Sequence, residues 1–186
     1  MKFYPKMNSD RKFTLKPFEL SDSNPTINIS GNILRADNKL KLDYLLQGDL
    51  SQIVIPVSDE IPTRKDELWQ TTCWEFFIGT ANSSQYWEFN LATTGDWNVY
   101  RFSGYRQGMT EEKAFDALPF RLKKQTKSLT INLEINLDLI VELDKNLDIA
   151  ITAVIESNNG ELSYWALAHP EAIADFHHRE GFIIHC

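Results

Sequence analysis

Apolar and polar residues alternate with period two through most of the chain. Lys39-Leu40-Lys41-Leu42-Asp43-Tyr44-Leu45-Leu46 alternates for most of its length, and residues 129–137 alternate without a break. That spacing puts successive side chains on opposite faces of a half-buried strand. Residues 147–155 repeat the pattern and lead through Ser157-Asn158-Asn159-Gly160 into residues 162–167. An Asn-Gly pair between two alternating runs predicts a hairpin. Further strands are expected over 13–18, 26–35 and 121–125. Helical spacing is nearly absent, with single turns expected over 138–143 and 171–176.

The centre of the chain reads as a three-stranded meander. Trp74-Glu75-Phe76-Phe77-Ile78-Gly79, Gln85-Tyr86-Trp87-Glu88-Phe89-Asn90-Leu91 and Trp97-Asn98-Val99-Tyr100-Arg101-Phe102 are separated by Thr80-Ala81-Asn82-Ser83-Ser84 and Thr93-Thr94-Gly95-Asp96. With Thr94-Gly95 as a two-residue loop, Asn90 faces Val99 and Glu88 faces Arg101. One face then carries Trp74, Phe76, Ile78, Trp87, Phe89, Leu91, Tyr100 and Phe102, a core set. The other carries Cys73, Glu75, Phe77, Glu88, Asn90, Trp97, Val99 and Arg101. Carboxylates, an amide, a guanidinium and indoles on one face suit a sugar, whose hydroxyl pairs need bidentate partners and whose axial hydrogens pack on aromatic rings. The structural alternative is a solvated sheet with an ordinary Glu88–Arg101 cross-strand pair.

Many strands with turn chemistry between them indicate an all-β fold. The expectation is a single-domain β-sandwich of two mostly antiparallel sheets, with ten to twelve strands and little helix; a closed barrel is the alternative. Residues 1–10 read as a loose N-terminal arm ahead of one domain over 11–186. At 186 residues the chain carries 19 basic and 26 acidic side chains, a net charge of −7. The one dense basic stretch is Arg121-Leu122-Lys123-Lys124 with Lys127, too short for a phosphate-binding surface, so no nucleic acid is expected. Apolar runs are strand-sized, so no membrane span and no secretory leader are expected. Cys73 and Cys186 lie far apart and outside any CxxC, which points to reduced thiols and a cytoplasmic protein.

The stretch Leu68-Trp69-Gln70-Thr71-Thr72-Cys73-Trp74-Glu75-Phe76-Phe77, then Tyr86-Trp87-Glu88-Phe89-Asn90 and Tyr100-Arg101-Phe102, resembles the DOMON-like domain family. Within it, the chain is most similar to the branch related to family 9 carbohydrate-binding modules. His169-Pro170 and Asp175-Phe176-His177 give a weaker echo. The resemblance implies a β-sandwich over the whole chain and a non-catalytic sugar-binding face. In those modules a Trp six residues before a Glu opens the site, and a polar-x-Asn pair on the next strand continues it. Trp69, Glu75 and Asn90 fall on those positions. Glu88 stands where the modules carry a basic residue, and Arg101 is expected to restore the charge. Trp165, Phe176 and His177 are candidates for a second clamp.

Six residues of extended strand span ~20 Å, so Trp69 reaches the same ligand as Glu75 only from a loop that folds back. Tyr105 and Arg106, in a second loop leaving the sheet, are placed to close over the site, with Tyr105 and His177 at its rim. The candidate ligand-binding set is therefore Trp69, Glu75, Glu88, Asn90, Arg101, Tyr105 and His177.

Motifs for nucleophilic, nucleotide-dependent or zinc-dependent catalysis are missing from the sequence. Glu75 and Glu88 form the one pair readable as glycosidase carboxylates. His169, Asp175, His177, His178 and Glu180 are ligand-type side chains whose spacing matches no zinc template. The resemblance raises haem, with Met109 and His177 as candidate ligands, and structural calcium. Neither has a motif here, so no cofactor is expected. An interaction domain that has lost ligand binding is the alternative function.

Overall fold

The computed structural model describes residues 9–19, 24–58 and 60–186. Those residues form thirteen strands: β1 (Ser9–Thr14), β2 (Lys16–Pro17), β3 (Ile27–Ala36), β4 (Lys39–Gly48), β5 (Cys73–Thr80), β6 (Tyr86–Ala92), β7 (Trp97–Phe102), β8 (Thr110–Glu111), β9 (Phe120–Lys124), β10 (Ser128–Asn136), β11 (Leu147–Glu156), β12 (Leu162–Ala166) and β13 (Ile184–His185). They build a five-stranded sheet in the order β1-β3-β4-β10-β9 and an eight-stranded sheet in the order β2-β12-β11-β5-β6-β7-β8, with β13 also on β11. Every strand pairing is antiparallel. The chain is a β-sandwich.

The expected N-terminal arm lies mostly outside the described residues, although Ser9 and Asp10 already belong to β1. The run expected over 13–18 divides at Leu15, which is buried while the chain crosses from one sheet (β1) to the other (β2). The turn expected over 138–143 is a 3-10 turn at Leu137–Leu139, whereas residues 171–176 contain no helical turn. That segment lacks an amphipathic repeat and is held by tertiary contacts.

The two sheets bury different amounts of themselves. β4 and β10 alternate buried and exposed positions, as a strand with one wet face does. Their inward residues, among them Leu42, Tyr44, Leu46, Ile131 and Leu133, meet Trp74, Phe76, Trp87, Phe89, Ile149 and Ile151 from the other sheet. β6 is instead buried at every position, and β5 at all but its last. A second apolar cluster of Phe77, Tyr86, Tyr100, Phe102, Ala150 and Phe182, with Trp69 and Phe176 against it, covers the outer face of the eight-stranded sheet. The connection before β5 and the segment after β12 supply that cover.

One expected register is corrected. Glu88 pairs with Tyr100, Trp87 with Arg101 and Phe89 with Val99. The loop has three residues, Thr93-Thr94-Gly95, closed by hydrogen bonds from Gly95 N to Ala92 O (3.0 Å) and Ala92 N to Asp96 O (2.9 Å). A two-residue hairpin loop would favour a positive φ at its first residue, which a β-branched Thr resists. The extra residue lets Gly95 alone take the positive φ, at +92°. The shift of one position reverses the faces of β7. Trp97 and Val99 are in the core, while Asn98, Tyr100 and Phe102 join the outer face. Arg101 projects away from the Glu75–Glu88 face and is exposed.

Candidate functional site

The outer face of the eight-stranded sheet carries a polar row across four strands. Thr152 of β11 pairs with Glu75 of β5, Glu75 with Asn90 of β6, and Asn90 with Asn98 of β7. All four are buried, Glu75 with 3% of its surface exposed. The next row runs Ala150, Phe77, Glu88 and Tyr100. Alternation along antiparallel strands places both carboxyls on one face, diagonally across the β5–β6 pair.

The first wall is the connection before β5. Asn98 Nδ2 donates to Lys65 O (3.0 Å) and Asp66 Oδ1 (3.1 Å), while Tyr100 OH donates to Asp66 Oδ1 (2.7 Å). Arg64 Nη1 reaches Asn98 Oδ1 at 2.7 Å. With the segment anchored there, Glu67 takes a left-handed conformation (φ 56°) and starts a 3-10 turn, Leu68–Gln70. Leu68 packs inward with Cys73 and Ala92, and Trp69 stands half-buried, edge-on to Tyr100 at 5.8 Å. This is the fold-back that the span between Trp69 and Glu75 requires.

The second wall joins residues some 70 positions apart. Asp175 accepts from Tyr105 OH (2.5 Å), Arg106 Nη2 (2.8 Å) and its neighbour His177 N (3.0 Å). Burial pushes the Asp175 carboxyl up, but the hydrogen bonds from Tyr105, Arg106 and His177 outweigh it and hold it below its ordinary range. Tyr86 OH accepts Arg106 N–H at 3.2 Å and lies 2.8 Å from His177 Nδ1. The phenol and Nδ1 share one hydrogen bond, whose donor is set by the imidazole tautomer. Nε2 is 3.8 Å from Glu88 Oε2. Burial, aided by Arg106, lowers the His177 imidazole to about 4.

Between these walls lies a cavity of about 420 Å³, the size of a small-ligand site, lined by Trp69, Gln70, Glu75, Glu88, Phe102, Arg106, Met109, Val154, Leu162, Tyr164, Ala174, Phe176 and His177. Glu88 Oε1 accepts from Asn90 Nδ2 (2.9 Å). Burial pushes Glu88 up to about 7 against the pull of Asn90 and Arg106. Burial and the neighbouring Glu88 push Glu75 well above the carboxylate range.

Of the residues expected from sequence, Trp69, Glu75, Glu88 and His177 line the cavity. Asn90 is fully buried and holds Glu88 from below. Tyr105 stands outside, 51% exposed, and acts on the site through Asp175. Arg101 is not in the site; Arg106 is the guanidinium beside the carboxyls. Tyr100, Thr152 and Tyr164 were not in the expected set. Tyr100 was hidden by the register shift, whereas Thr152 follows from alternation along β11 once the face of Glu75 is fixed. Of the candidate clamps, Phe176 and His177 line the cavity, while Trp165 belongs to the core.

The ligand-type side chains of the last segment have separate partners. His169 Nε2 lies 2.8 Å from Lys16 O, and His178 Nε2 lies 3.0 Å from Glu171. Among the described residues no group of three or more His, Cys, Asp or Glu is placed to hold a metal ion. Met109 and His177 border the same cavity, but outside the sandwich, and the space between the sheets is filled with side chains. These residues do not fit a haem held between the sheets.

Fold and cavity together define a β-sandwich with a walled polar and aromatic pocket on the outer face of one sheet. No protein-family model matches the chain, and no curated protein matches it in sequence. Solved structures share its fold. One is a "putative carbohydrate-binding protein" from Bacteroides uniformis, with TM-score 0.58 at 10% identity over 92% of this chain and 83% of that one. Another is a family 9 carbohydrate-binding module from Caldicellulosiruptor kristjanssonii in complex with glucose, with TM-score 0.50 at 12% identity over 81% and 72%. At such identities the likeness is one of fold.

Proposed function

We propose that this chain is a non-catalytic binding module for a carbohydrate or sugar-like small molecule, related to the DOMON-like domains. The observation that carries the reading is the pairing of Trp69 with a buried carboxyl-and-amide floor inside one walled cavity. An indole wall supplies flat apolar area for a pyranose face, and Glu75, Glu88, Gln70 and His177 supply hydroxyl partners. The two structural neighbours, the "putative carbohydrate-binding protein" and the family 9 module in complex with glucose, support the same class.

Binding suits this site better than hydrolysis. A retaining glycosidase needs one carboxylate held ionised as nucleophile beside one protonated acid. Here burial drives both Glu75 and Glu88 toward the neutral form. We place the protein in the cytoplasm, in keeping with its buried cysteine thiols. A thermal-shift screen followed by calorimetry with mono- and oligosaccharides tests the reading. A ligand that binds the folded state raises the melting temperature with concentration. The absence of a shift with any sugar overturns it.

A further inference from the structure

The charge balance of the cavity narrows its ligand. We propose that the site takes an amino sugar, with the protonated amine seated over Glu75 and Glu88 and the ring against Trp69. This rests on the carbohydrate reading above and specifies it.

Glu75 Oε1 is buried and has no hydrogen-bond partner, and the side chain faces the cavity. Its other oxygen has only a long contact, 3.5 Å, from Thr152 Oγ1. An unpartnered oxygen on so buried a carboxyl is uncommon in a folded protein and calls for a partner supplied from the cavity or a functional role. Glu88 likewise uses Oε1 on Asn90 and turns Oε2 toward His177, beyond hydrogen-bond range.

The cavity brings little positive charge to answer two carboxyls. Among the described residues that line it, Arg106 is the side chain with a permanent charge, and its Nη2 is committed to Asp175 at 2.8 Å. His177 has Nδ1 on the Tyr86 hydroxyl, and burial keeps the ring neutral. Without a counter-charge, burial favours the neutral acids, and a ligand that brings one stabilises them as carboxylates on binding. A hydroxyl gives one proton and no charge. An ammonium gives three N–H donors and a full charge, enough to engage both carboxyls together. Trp69, Tyr164 and Phe176 complete the environment, because aromatic faces attract a cation electrostatically. Acidic floor and aromatic wall are together the chemistry of an amine site.

The test is calorimetry on the intact chain at neutral pH with three matched ligands, a β-1,4-linked glucosamine oligomer, its fully N-acetylated form and the cello-oligosaccharide of the same length, and with putrescine as an amine that carries no sugar. The expected result is that the free-amine oligomer binds about tenfold more tightly, or better, than either neutral one. Glu75→Gln and Glu88→Gln should each shrink that preference, read within each variant as the ratio of free-amine to neutral-oligomer affinity. The comparison on the unaltered protein stands even if a variant folds poorly. Equal affinity for the three ligands, or a preference that survives both substitutions, overturns the amino-sugar inference and leaves the carbohydrate reading intact. No binding of any oligomer overturns both. Putrescine binding as tightly as the glucosamine oligomer, with no neutral sugar bound, overturns the sugar part of each.

Discussion

Tyr44 of the five-stranded sheet donates its buried hydroxyl to the main-chain carbonyl of Glu75, 2.7 Å away on the eight-stranded sheet. The bond crosses the sandwich and fixes the strand segment that presents the Glu75 carboxyl to the opposite side. Tyr44→Phe keeps the ring and deletes the donor. It should lower stability by about 1–3 kcal/mol, the cost of a buried acceptor losing a partner. Urea unfolding of both proteins measures this, and an effect near zero would show that the sheets are held by apolar packing alone.

Trp69 is half-buried, and its main aromatic contact is the edge-on packing with Tyr100. Trp69→Ala should therefore cost only about 1 kcal/mol of stability. Carbohydrate affinity should fall by about 2 kcal/mol or more, as expected for a central aromatic contact. Circular dichroism and calorimetry on the same sample separate the two effects.

Glu88 makes stability depend on pH. Burial raises its carboxyl to about 7 in the folded state, so between the ordinary value of 4.5 and 7 the folded protein binds more protons than the unfolded chain. Its contribution is most favourable below 4.5 and falls as pH rises through 7. Glu88→Gln removes that slope and can still accept from Asn90. The variant should match the native protein near pH 4 and exceed it by about 3 kcal/mol at pH 8. His177, lowered to about 4, acts in the opposite sense, losing stability as pH falls from 6.5, but it is common to both proteins. Arg106, Asp175, Tyr86 and Tyr100 are the other titratable groups around Glu88 and are common to both, whereas Glu75, which Glu88 pushes up, is relieved in the variant and adds to its gain at high pH. Melting curves from pH 4 to 8 give the comparison.

One residue in β7 and one packed against the loop that follows it should behave oppositely. Arg101 is exposed and away from the site, so Arg101→Ala should change stability by less than about 0.5 kcal/mol and leave ligand affinity unaltered. Asp175 holds Tyr105, Arg106 and the His177 amide together, and Asp175→Asn should cost about 2 kcal/mol at neutral pH. Its carboxyl is held low when folded, so this contribution is present above 3.8 and lost as pH falls below it. The difference between native protein and variant should close in acid.

Gly95 sits at φ +92° with Pro62 against it, a Cβ there meeting the proline ring at 2.8 Å. Gly95→Ala should destabilise by about 1–3 kcal/mol. A change below 0.5 kcal/mol on chemical denaturation would mean that the hairpin can remodel its loop, and with it the register of β7.

The five-stranded sheet was readable because one of its faces is wet. In β4 and β10 solvent enforces alternation, and alternation is visible in sequence. β5 and β6 were readable as strands, and their inner and outer sets came out correctly. Their roof does not follow from alternation, although Cys73 and Phe77 flank Glu75 with apolar side chains on the outer face, as a covered strand allows. The exchange of Arg101 for Arg106 came from one loop residue. Thr94 cannot readily take a positive φ, and that stereochemical point was available from sequence. The strap of Asp175 to Tyr105 and Arg106 was not, because residues so far apart, in segments with no periodicity, are brought together only by the finished fold.

The cavity has a fixed part and a replaceable part. Its two carboxyls sit on central strands, where backbone pairing on both sides sets their position to within a fraction of a residue spacing. Trp69, Arg106 and the Phe176–His177 pair come from three separate connections, and at the cavity these pack on the outer face of the sheet. Loops of this kind tolerate changes of length and composition that strands do not. Exchanging one connection would alter which molecules fit while the acidic centre and the folding of the sandwich stayed as they are. The architecture therefore lends itself to divergence of specificity one loop at a time.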